Sequence, residues 1–396
     1  MVAITFEPEV YGKTCRYLYD IHDPGQLIGQ GSFGYVCKAT ITDYGNYTGD
    51  GDVAVKVVQP RKDTYADESA RNRMRSRFQR LLGISHDHIT EYHQFMIDFT
   101  TSGDTFFVYV LMDYYNKGNM AHRLQRFCHQ NQMWNTANGT RLVQMPFDLK
   151  TAVDYMFQIS EGLGFLHSNG IIHGNLNPCN IFVRTIEDDA NSHEVLVIGG
   201  LEDFVQKKNN LIATADLDAN YPQGSFRYMS PEMLGCSTAG IFNAKICRKT
   251  DIWSLGCIML DMINCVMGTD HVWLCNGELA HDRKRGDNVE ERHYAVMVAA
   301  GYMPEVPFAA PFPLGECARR CLCYDSKARI SVVAVMEMLR KNTEVRPQTL
   351  GLTTPSPPCS LRQKAKRVIA MVLLFLVVCV LILKFLFGTG RSSGPW

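Results

Sequence analysis

The pattern that most constrains the fold is a glycine-rich turn followed by a short apolar strand that ends on a lysine. Gly29, Gly31 and Gly34 have the spacing G-x-G-x-x-G, and residues 53–56 read Val-Ala-Val-Lys. Glycines let backbone N–H groups approach phosphate oxygens without a Cβ atom in the way, and a lysine adds a point charge for the same phosphates. Dinucleotide-binding folds share the glycine spacing, but Val36 and the lysine strand favour a hairpin that binds a nucleoside triphosphate. A hairpin with a structural lysine is the alternative.

A second stretch, residues 171–183, reads Ile-Ile-His-Gly-Asn-Leu-Asn-Pro-Cys-Asn-Ile-Phe-Val. It resembles the catalytic loop of eukaryotic protein kinases, H-R-D-L-x-x-x-N before an apolar strand, and the glycine-rich turn and lysine strand match the same family. The resemblance covers residues 17–342. It implies an α+β, two-lobed protein kinase fold with a small β-rich amino-terminal lobe and a large helical carboxy-terminal lobe.

The catalytic loop departs from the family pattern at its charged positions. Asn175 stands where the family has the aspartate that accepts the proton of the substrate hydroxyl, Gly174 replaces an arginine and Asn177 replaces a lysine. An amide does not accept a proton at neutral pH. The resemblance therefore predicts the shape of a kinase loop and no catalytic residue. Four positions keep the family register: His173, Leu176, Pro178 and Asn180.

The metal-binding aspartate of the family's D-F-G motif has no counterpart. The strand of residues 195–198 is followed by Gly-Gly-Leu-Glu-Asp, and no aspartate stands at the motif position whether Gly199 or Ile198 is aligned to it. Asn180 would be the one remaining side-chain ligand for Mg²⁺. Glu202 or Asp203 as a substitute is the less favoured alternative, because a solvated loop carboxylate is the simpler interpretation. We expect at most weak Mg²⁺ binding.

A third family feature is the glutamate that pairs with the strand lysine, and it is also missing. Counting back from His86 along the predicted helix places Arg77 at that position, and Glu68 lies too early to share the face set by Phe78 and Leu81. The helix is strongly basic. A solvated basic face is the simpler interpretation of its arginines, and a docking face for an acidic partner is the alternative. The arginines are Arg71, Arg73, Arg75, Arg77 and Arg80.

The elements that hold ATP in the family are largely present. Met112 would be the gatekeeper at the end of a buried strand, and backbone groups of Asp113 and Tyr115 in the following hinge would bond to the adenine. We expect ATP binding to be weak. The resemblance assigns cofactor contacts to Gly29, Gly31, Gly34, Val36, Ala54, Lys56, Asp113 and Tyr115.

Three motifs of the large lobe support the fold rather than the activity. Residues 224–232 resemble the end of an activation segment, residues 251–256 the start of the following long helix, and residues 321–331 the closing helices. Arg329 is expected to form a buried, bidentate ion pair with Glu232. Residues 149–167 carry apolar side chains at helical spacing, and residues 127–146 form a polar insert without such a period.

Composition limits the classes of binding partner and the redox compartment that we expect for this chain. Lys+Arg 40 balance Asp+Glu 40, so no excess of positive charge points to nucleic acid. The 14 cysteines are scattered through predicted strands and helices, which favours a reducing compartment. The close pair Cys321 and Cys323 has no second pair at zinc-ligand spacing, so core packing is the better interpretation.

The carboxy-terminal end predicts a membrane anchor. Residues 343–367 form a linker rich in Pro, Ser and Thr that ends in a basic cluster, residues 368–387 are apolar apart from Lys384, and residues 388–396 form a short tail. About twenty apolar residues suit one transmembrane helix, and the preceding basic cluster keeps the kinase-like domain in the cytosol. A buried core helix is the alternative. Residues 1–16 form an amino-terminal segment before the kinase-like region, and residues 1–23 carry no secretory signal. The sequence therefore predicts a tail anchor, in the endoplasmic reticulum rather than the mitochondrial outer membrane.

These features predict a tail-anchored pseudokinase that acts as a membrane-tethered scaffold or allosteric regulator in signalling. Its expected partners are cytosolic proteins, such as an active kinase or its substrate, and no nucleic acid. A divergent serine/threonine kinase with replacement catalytic residues is the competing hypothesis. The losses at the base, the metal and the helix glutamate fall on three different parts of the phosphoryl-transfer machinery, which favours the first hypothesis.

Overall fold

The computed structural model describes part of the chain, and all of that part belongs to one compact unit, Met1–Val345. The described residues are 2–6, 15–20, 23, 25–31, 34–43, 53–58, 68–99, 106–124, 148–188, 191–201, 205–206, 226–238, 246–267, 298, 301 and 303–343. The polar insert, the carboxylates of Glu202 and Asp203, the linker and the apolar run of residues 368–387 lie outside them, so what the sequence predicts for those segments stays a prediction.

The amino-terminal lobe is built on a seven-stranded sheet in the order β1-β2-β4-β5-β7-β6, with β3 paired to β4. Every strand pair in it is antiparallel. β1 and the first residues of β2 come from the segment that the sequence analysis left outside the kinase-like region. The strands are β1 (Val2–Phe6), β2 (Cys15–Tyr19), β3 (Leu27–Gly31), β4 (Gly34–Asp43), β5 (Val53–Val58), β6 (Tyr92–Phe99) and β7 (Phe106–Asp113).

Alternation along β5 gives the sheet two apolar faces, because successive side chains of a strand point to opposite sides. Ala54 lies in the main core cluster together with Phe78 and Leu81 of helix α1 (Glu68–Leu82), whereas Val55 and Val57 lie in a second cluster. Phe78 stacks on a β6 phenylalanine, with ring centroids 5.1 Å apart. One face of the sheet is thus covered by α1.

The carboxy-terminal lobe is mainly helical. Helix α2 covers the segment predicted from its apolar spacing, and the side chain of Asp148 caps it by accepting the Thr151 N–H at 2.6 Å. β9 pairs with β10 and β8 with β11, both antiparallel. The elements are α2 (Leu149–Ser168), β8 (Ile171–Ile172), β9 (Ile181–Asp188), β10 (Asn191–Ile198), β11 (Val205–Gln206), α3 (Pro231–Thr238), α4 (Arg248–Met267), α5 (Leu314–Cys321) and α6 (Val332–Thr343).

Helix α4 is the centre of this lobe. In the described part of the chain it is the one helix that is long and apolar enough to cross a membrane, with a mean hydropathy of 1.3. However, 89% of its most apolar 18-residue stretch is buried inside the domain. Trp253 and Ile258 are fully buried on it. A helix that is apolar on all sides and covered by its own domain is a core helix, and α4 carries the anchor residue of the catalytic loop described below.

Candidate functional site

The glycine-rich turn joins β3 to β4, as predicted. Gly34 has φ +151°, and a Cβ atom there would overlap the carbonyl oxygen of Val57 on β5, so only glycine fits. Gly29 is under no such constraint, because its Cβ would make ordinary contact with Val36. Gly31 ends β3. The structure therefore explains Gly34 by backbone packing, independently of any phosphate.

Strand pairing brings the predicted nucleotide contacts of the lobe together. Lys56 lies opposite Val36 of β4 and Val110 of β7. Ala54, two residues earlier on the same face of β5, lies opposite Met112 and is buried. The valine, the alanine and the lysine thus occupy neighbouring positions on adjacent strands, which the sequence spacing could only suggest.

Helix α1 offers no well-placed carboxylate to this lysine. Its one acidic residue, Glu68, is the first residue of the helix and is exposed. Arg77, at the position where the family has glutamate, is partly buried beside the core residue Phe78. The last turn of α1 is held in another way: Arg80 donates from Nη2 to the carbonyl oxygen of Asn169, just beyond the end of α2, at 2.5 Å. A guanidinium at a helix carboxy-terminus is favoured by the helix dipole.

The hinge residues are partly committed to bonds within the protein. The Asp113 N–H donates to the Glu91 carbonyl at 3.1 Å, and the Tyr115 carbonyl accepts the Gly118 N–H at 3.1 Å. An adenine would therefore bond most simply to the Asp113 carbonyl and the Tyr115 N–H. The Tyr115 ring is buried and stacks on Phe182 of β9, with centroids 5.3 Å apart. Burial, and next the nearby Asp113 carboxylate, raise the pKa of this tyrosine, so its hydroxyl stays protonated.

The catalytic loop is held in a kinase-like shape by a carboxylate that sequence analysis did not single out. Asp251, in the first turn of α4, accepts the N–H of His173 at 2.9 Å and the N–H of Gly174 at 2.8 Å. It also contacts Nε2 of His167 at 2.7 Å. All its partners are buried, and a charged acceptor makes such bonds strong. Asp251 is the first residue of the helix motif that the sequence analysis recognised, residues 251–256. That motif does not reveal that its aspartate binds the catalytic loop.

His173 connects the loop to the segment after β10. The Asn175 N–H donates to its Nδ1 at 3.2 Å, and its Nε2 lies 2.9 Å from the Gly199 carbonyl oxygen. A nitrogen that accepts a bond carries no proton, so these contacts assign a neutral ring that donates from Nε2. His173 thus acts as a structural link.

Three asparagines form an amide network, and two of them, Asn175 and Asn177, stand where the family has charged residues. Asn177 donates from Nδ2 to both the backbone oxygen and Oδ1 of Asn175, at 2.9 and 3.0 Å. Asn180 donates from Nδ2 to the Asn175 backbone oxygen at 2.8 Å. The side-chain oxygen of Asn175 accepts one of these bonds, and an amide oxygen is too weakly basic to take the proton of a substrate hydroxyl.

A Cβ atom on Gly200 would contact the Asn180 side chain directly, which favours Gly200 over Gly199 and Ile198 as the counterpart of the family's aspartate. A Cβ atom on Gly200 would lie 2.5 Å from Cγ and 2.6 Å from Oδ1 of Asn180, and its φ is +69°. Gly199 instead lies against Phe182 and Thr90, and Ile198 pairs with Ile181 in the sheet. The tertiary structure moves the family's aspartate position two residues beyond the end of the strand and gives it no side chain.

The predicted ion pair between activation segment and closing helices is confirmed. Arg329 donates to both carboxylate oxygens of Glu232, at 2.8 and 2.7 Å, and lies over the Trp253 ring. Burial disfavours the charged carboxylate, but the bonds from Arg329 outweigh it and hold the pKa of Glu232 below its usual value. This pair stabilises the lobe, and neither of its residues belongs to the amide network.

The described residues fit a nucleotide better than they fit its metal. Lys56 supplies a cation for phosphates on β5, next to the strand pair that the glycine-rich turn joins. In contrast, Mg²⁺ takes six oxygen ligands and usually at least one carboxylate, and Asn180 provides one amide oxygen. Among the residues that the structure describes, no group of three or more His, Cys, Asp or Glu side chains is arranged to hold a metal ion.

Comparison with known proteins agrees with this architecture. The model of the protein kinase domain family matches residues 23–340. The mitogen-activated protein kinase kinase kinase 3 of Homo sapiens is 27% identical over 240 residues, which cover 60% of this chain and 32% of that protein. The mitogen-activated protein kinase kinase kinase 1 of Arabidopsis thaliana is 25% identical over 284 residues, 72% of this chain and 36% of that protein.

A third relative is the probable serine/threonine-protein kinase iksA of Dictyostelium discoideum. It is 27% identical over 171 residues, which cover 39% of this chain and 15% of that protein. The chain therefore spans about a third or less of the length of these relatives, and what they do as whole proteins does not transfer directly to it.

Proposed function

This chain belongs to the protein kinase domain family, and we propose that within the family it is a pseudokinase that acts as a membrane-tethered scaffold or allosteric regulator. It transfers no phosphate, and it works by presenting the surface of a kinase fold to cytosolic partners, such as an active kinase or its substrate. The single observation that carries the proposal is the pair of uncharged positions in the loop region, Asn175 and Gly200.

Each of these positions removes a different contribution to phosphoryl transfer. The base that orients the substrate hydroxyl is replaced by an amide whose oxygen already accepts a bond from Asn177. The metal position is a glycine packed against Asn180. Catalysis of phosphoryl transfer consists almost entirely of positioning and charge neutralisation, so a site without these charges has lost both.

The proposed site binds ATP weakly and without a metal. Gly34 keeps the backbone of the glycine turn close to β5, and Lys56 stands between Val36 and Val110. ATP supplies the family's phosphoryl group when it is bound with Mg²⁺. In this chain Lys56 would hold phosphate oxygens and the hinge residues Asp113 and Tyr115 would hold the base, while Asn180 alone would not keep the metal.

The proposed location is the cytosolic face of a membrane, with the endoplasmic reticulum favoured over the mitochondrial outer membrane. Support comes from the order of features in the sequence: the family domain, then the linker of residues 343–367, then the apolar run of residues 368–387. A run of this length suits one membrane-spanning helix. A regulator held at a membrane needs no turnover to concentrate its partners there.

Radiolabelled phosphotransfer by the purified protein, in Mg²⁺ and in Mn²⁺, tests the pseudokinase proposal. We expect incorporation no greater than that of Lys56→Met or Asn180→Ala. The readout must include both the chain itself and a generic protein substrate. Incorporation that is present in the wild type and abolished in both variants would establish a divergent serine/threonine kinase and end the proposal.

A further inference from the structure

The exposed apolar side chains of the domain are concentrated in one segment. Among the described residues, five large apolar side chains are well exposed, and four of them lie between residues 308 and 333. Phe308 is fully exposed and Phe312 is 62% exposed. Both belong to the turn before α5, residues 307–313, here called the aromatic turn. Isolated exposed apolar side chains are normal on a protein surface, whereas contiguous ones indicate a contact site, and these two rings lie in the same turn.

The aromatic turn is ordered by bonds to its own helix. Arg319, in the last turn of α5, donates from Nη2 to the carbonyl oxygens of Pro307 and Phe308, at 2.9 and 3.3 Å. The Ala310 N–H closes the turn on the Pro307 carbonyl at 3.0 Å. The two phenylalanines are therefore presented by a fixed backbone, and contact with an apolar phase costs little further ordering.

Part of the polar backbone of the aromatic turn is either bonded within the protein or absent because the residue is proline. Pro307, Pro311 and Pro313 have no N–H to desolvate. The Pro311 carbonyl accepts the Gly315 N–H at 2.9 Å, and the Pro313 carbonyl accepts the Cys317 N–H at 3.0 Å. Most loops are excluded from apolar phases because their backbone N–H and C=O groups have no hydrogen-bond partners there. The prolines and these bonds lower that desolvation cost for part of the turn.

Two observations favour a lipid surface over a protein as the occupant. A stable protein interface needs roughly 800 Å² on each side, far more than two phenylalanine rings provide. A membrane contact can be smaller when the domain is already tethered, because tethering raises the effective concentration of the surface. The linker of residues 344–367 has a reach of roughly 30 Å as a flexible coil and roughly 75 Å as a polyproline helix.

Helix α6, which directly precedes the linker in the chain, contacts α5. Sγ of Cys317 on α5 is 3.9 Å from Sδ of Met338 on α6, and α6 ends at Thr343, where the linker begins. The charged side chains of α5 leave a small net positive charge, since Arg320 pairs with Glu316 at 2.6 Å and Arg319 is bonded to carbonyl oxygens of the turn. The two rings, rather than attraction to anionic lipid, would therefore carry the contact.

We propose that the aromatic turn inserts Phe308 and Phe312 into the interfacial region of the membrane and so fixes the orientation of the domain on it. The inference rests on the proposed membrane tether. Binding of this kind scales with buried apolar area, so neutral phosphatidylcholine is sufficient and salt has little effect.

The test uses the full chain in phosphatidylcholine vesicles that contain radiolabelled phosphatidylcholine, with photoreactive benzoylphenylalanine in place of Phe308. The matched control carries the same group in place of Tyr324, an exposed aromatic residue beyond the other end of α5. We expect about fivefold more lipid label on the protein from position 308, since buried apolar area decides the contact. Adding Phe312→Ser to the first protein should lower its label about twofold for the same reason.

Carbonate extraction of the same vesicles separates this inference from the proposed tether. Retention in the vesicles with equal label at the two positions overturns the inference and leaves the tether standing. Release by carbonate shows that the tether is wrong, and the inference falls with it. Crosslinks from position 308 to a second protein chain instead of lipid also overturn it, in favour of a protein-docking turn.

Discussion

Gly200 lies directly against the side-chain amide of Asn180, so that a Cβ atom at residue 200 would be 2.6 Å from the amide oxygen. These two positions would hold the metal in a kinase. Their packing means that the missing aspartate is not a simple substitution: the space that its side chain needs is occupied by the remaining ligand.

The first prediction is that Gly200→Asp fails to restore a metal site, with or without Asn175→Asp. The residue has φ +69°, which costs an L-residue roughly 1–2 kcal/mol, and the contact with Asn180 adds to that cost. We expect no Mg²⁺-dependent phosphotransfer and a lower unfolding midpoint in urea. Restored activity in the double variant would show that two substitutions account for the loss of chemistry.

A control at Gly118 separates the cost of the backbone conformation at residue 200 from the cost of the contact with Asn180. Gly118 has φ +73°, and a Cβ there would meet only His122 at 3.6 Å. Gly118→Ala should therefore show the backbone cost alone, and Gly200→Ala a larger one. Asn180→Ala should reduce the effect of Gly200→Ala, because it removes the atoms in contact. Equal losses for the two alanine variants would contradict the packing seen here.

The second prediction concerns nucleotide binding, measured as a shift of the melting temperature. We expect a small upward shift with ATP, since a ligand stabilises the folded state in proportion to its occupancy. Adding Mg²⁺ to ATP should raise the melting temperature further by less than ATP alone raises it, because Asn180 is a single ligand. Lys56→Met should abolish the shift, and Lys150→Met, an exposed lysine in the first turn of α2, should leave it unchanged. A shift that grows strongly with Mg²⁺ would demonstrate a working metal site.

The third prediction is a pH dependence that originates at Asp261 on α4. Burial raises the pKa of this carboxyl from 3.8 to about 8, although the Tyr228 hydroxyl donates to it at 3.0 Å. Between these values the folded state keeps a proton that the unfolded state releases. Stability is therefore lost as the pH rises from about 4 through about 8, by at most about 1.4 kcal/mol per pH unit.

Asp261→Asn removes this titration while keeping the size of the side chain. We expect the free energy of unfolding, measured in urea, to increase for the variant relative to the wild type at each step from pH 5 to pH 8. The difference between the two proteins is the measurement, because all other titrating groups are shared. Parallel profiles would mean that Asp261 is already ionised in the folded state at pH 5.

The fourth prediction concerns the membrane. The full chain should remain in the membrane pellet after carbonate extraction, and a chain ending at Gln363 should be released, because insertion of about twenty apolar residues is effectively irreversible. A glycosylation sequon added after Trp396 should be modified if the anchor enters the endoplasmic reticulum. Asn46 and Asn138, each the first residue of an Asn-x-Thr sequon, should stay unmodified. Glycans on either would place the domain in the lumen and exclude cytosolic partners.

Sequence reasoning was most successful where a few neighbouring residues carry the information. Apolar spacing placed α2 at residues 149–167, one residue short of its observed end. The motifs around Glu232 and Arg329 predicted their ion pair, because each motif has a recognisable local pattern. The same reasoning did not assign β1 to the sheet, because a short strand is defined by its partner strand and not by its own residues.

The chemistry of the site was determined by the sequence itself: Asn175 and Asn177 are amides in any conformation, and no folding gives them a charge. What only the tertiary structure decided is which groups meet. Asp251 reaches a loop 78 residues away along the chain, and Gly200 rather than Gly199 packs on Asn180. Such contacts depend on how α4, β9 and β10 pack together, and packing is set by side chains distributed over the whole lobe.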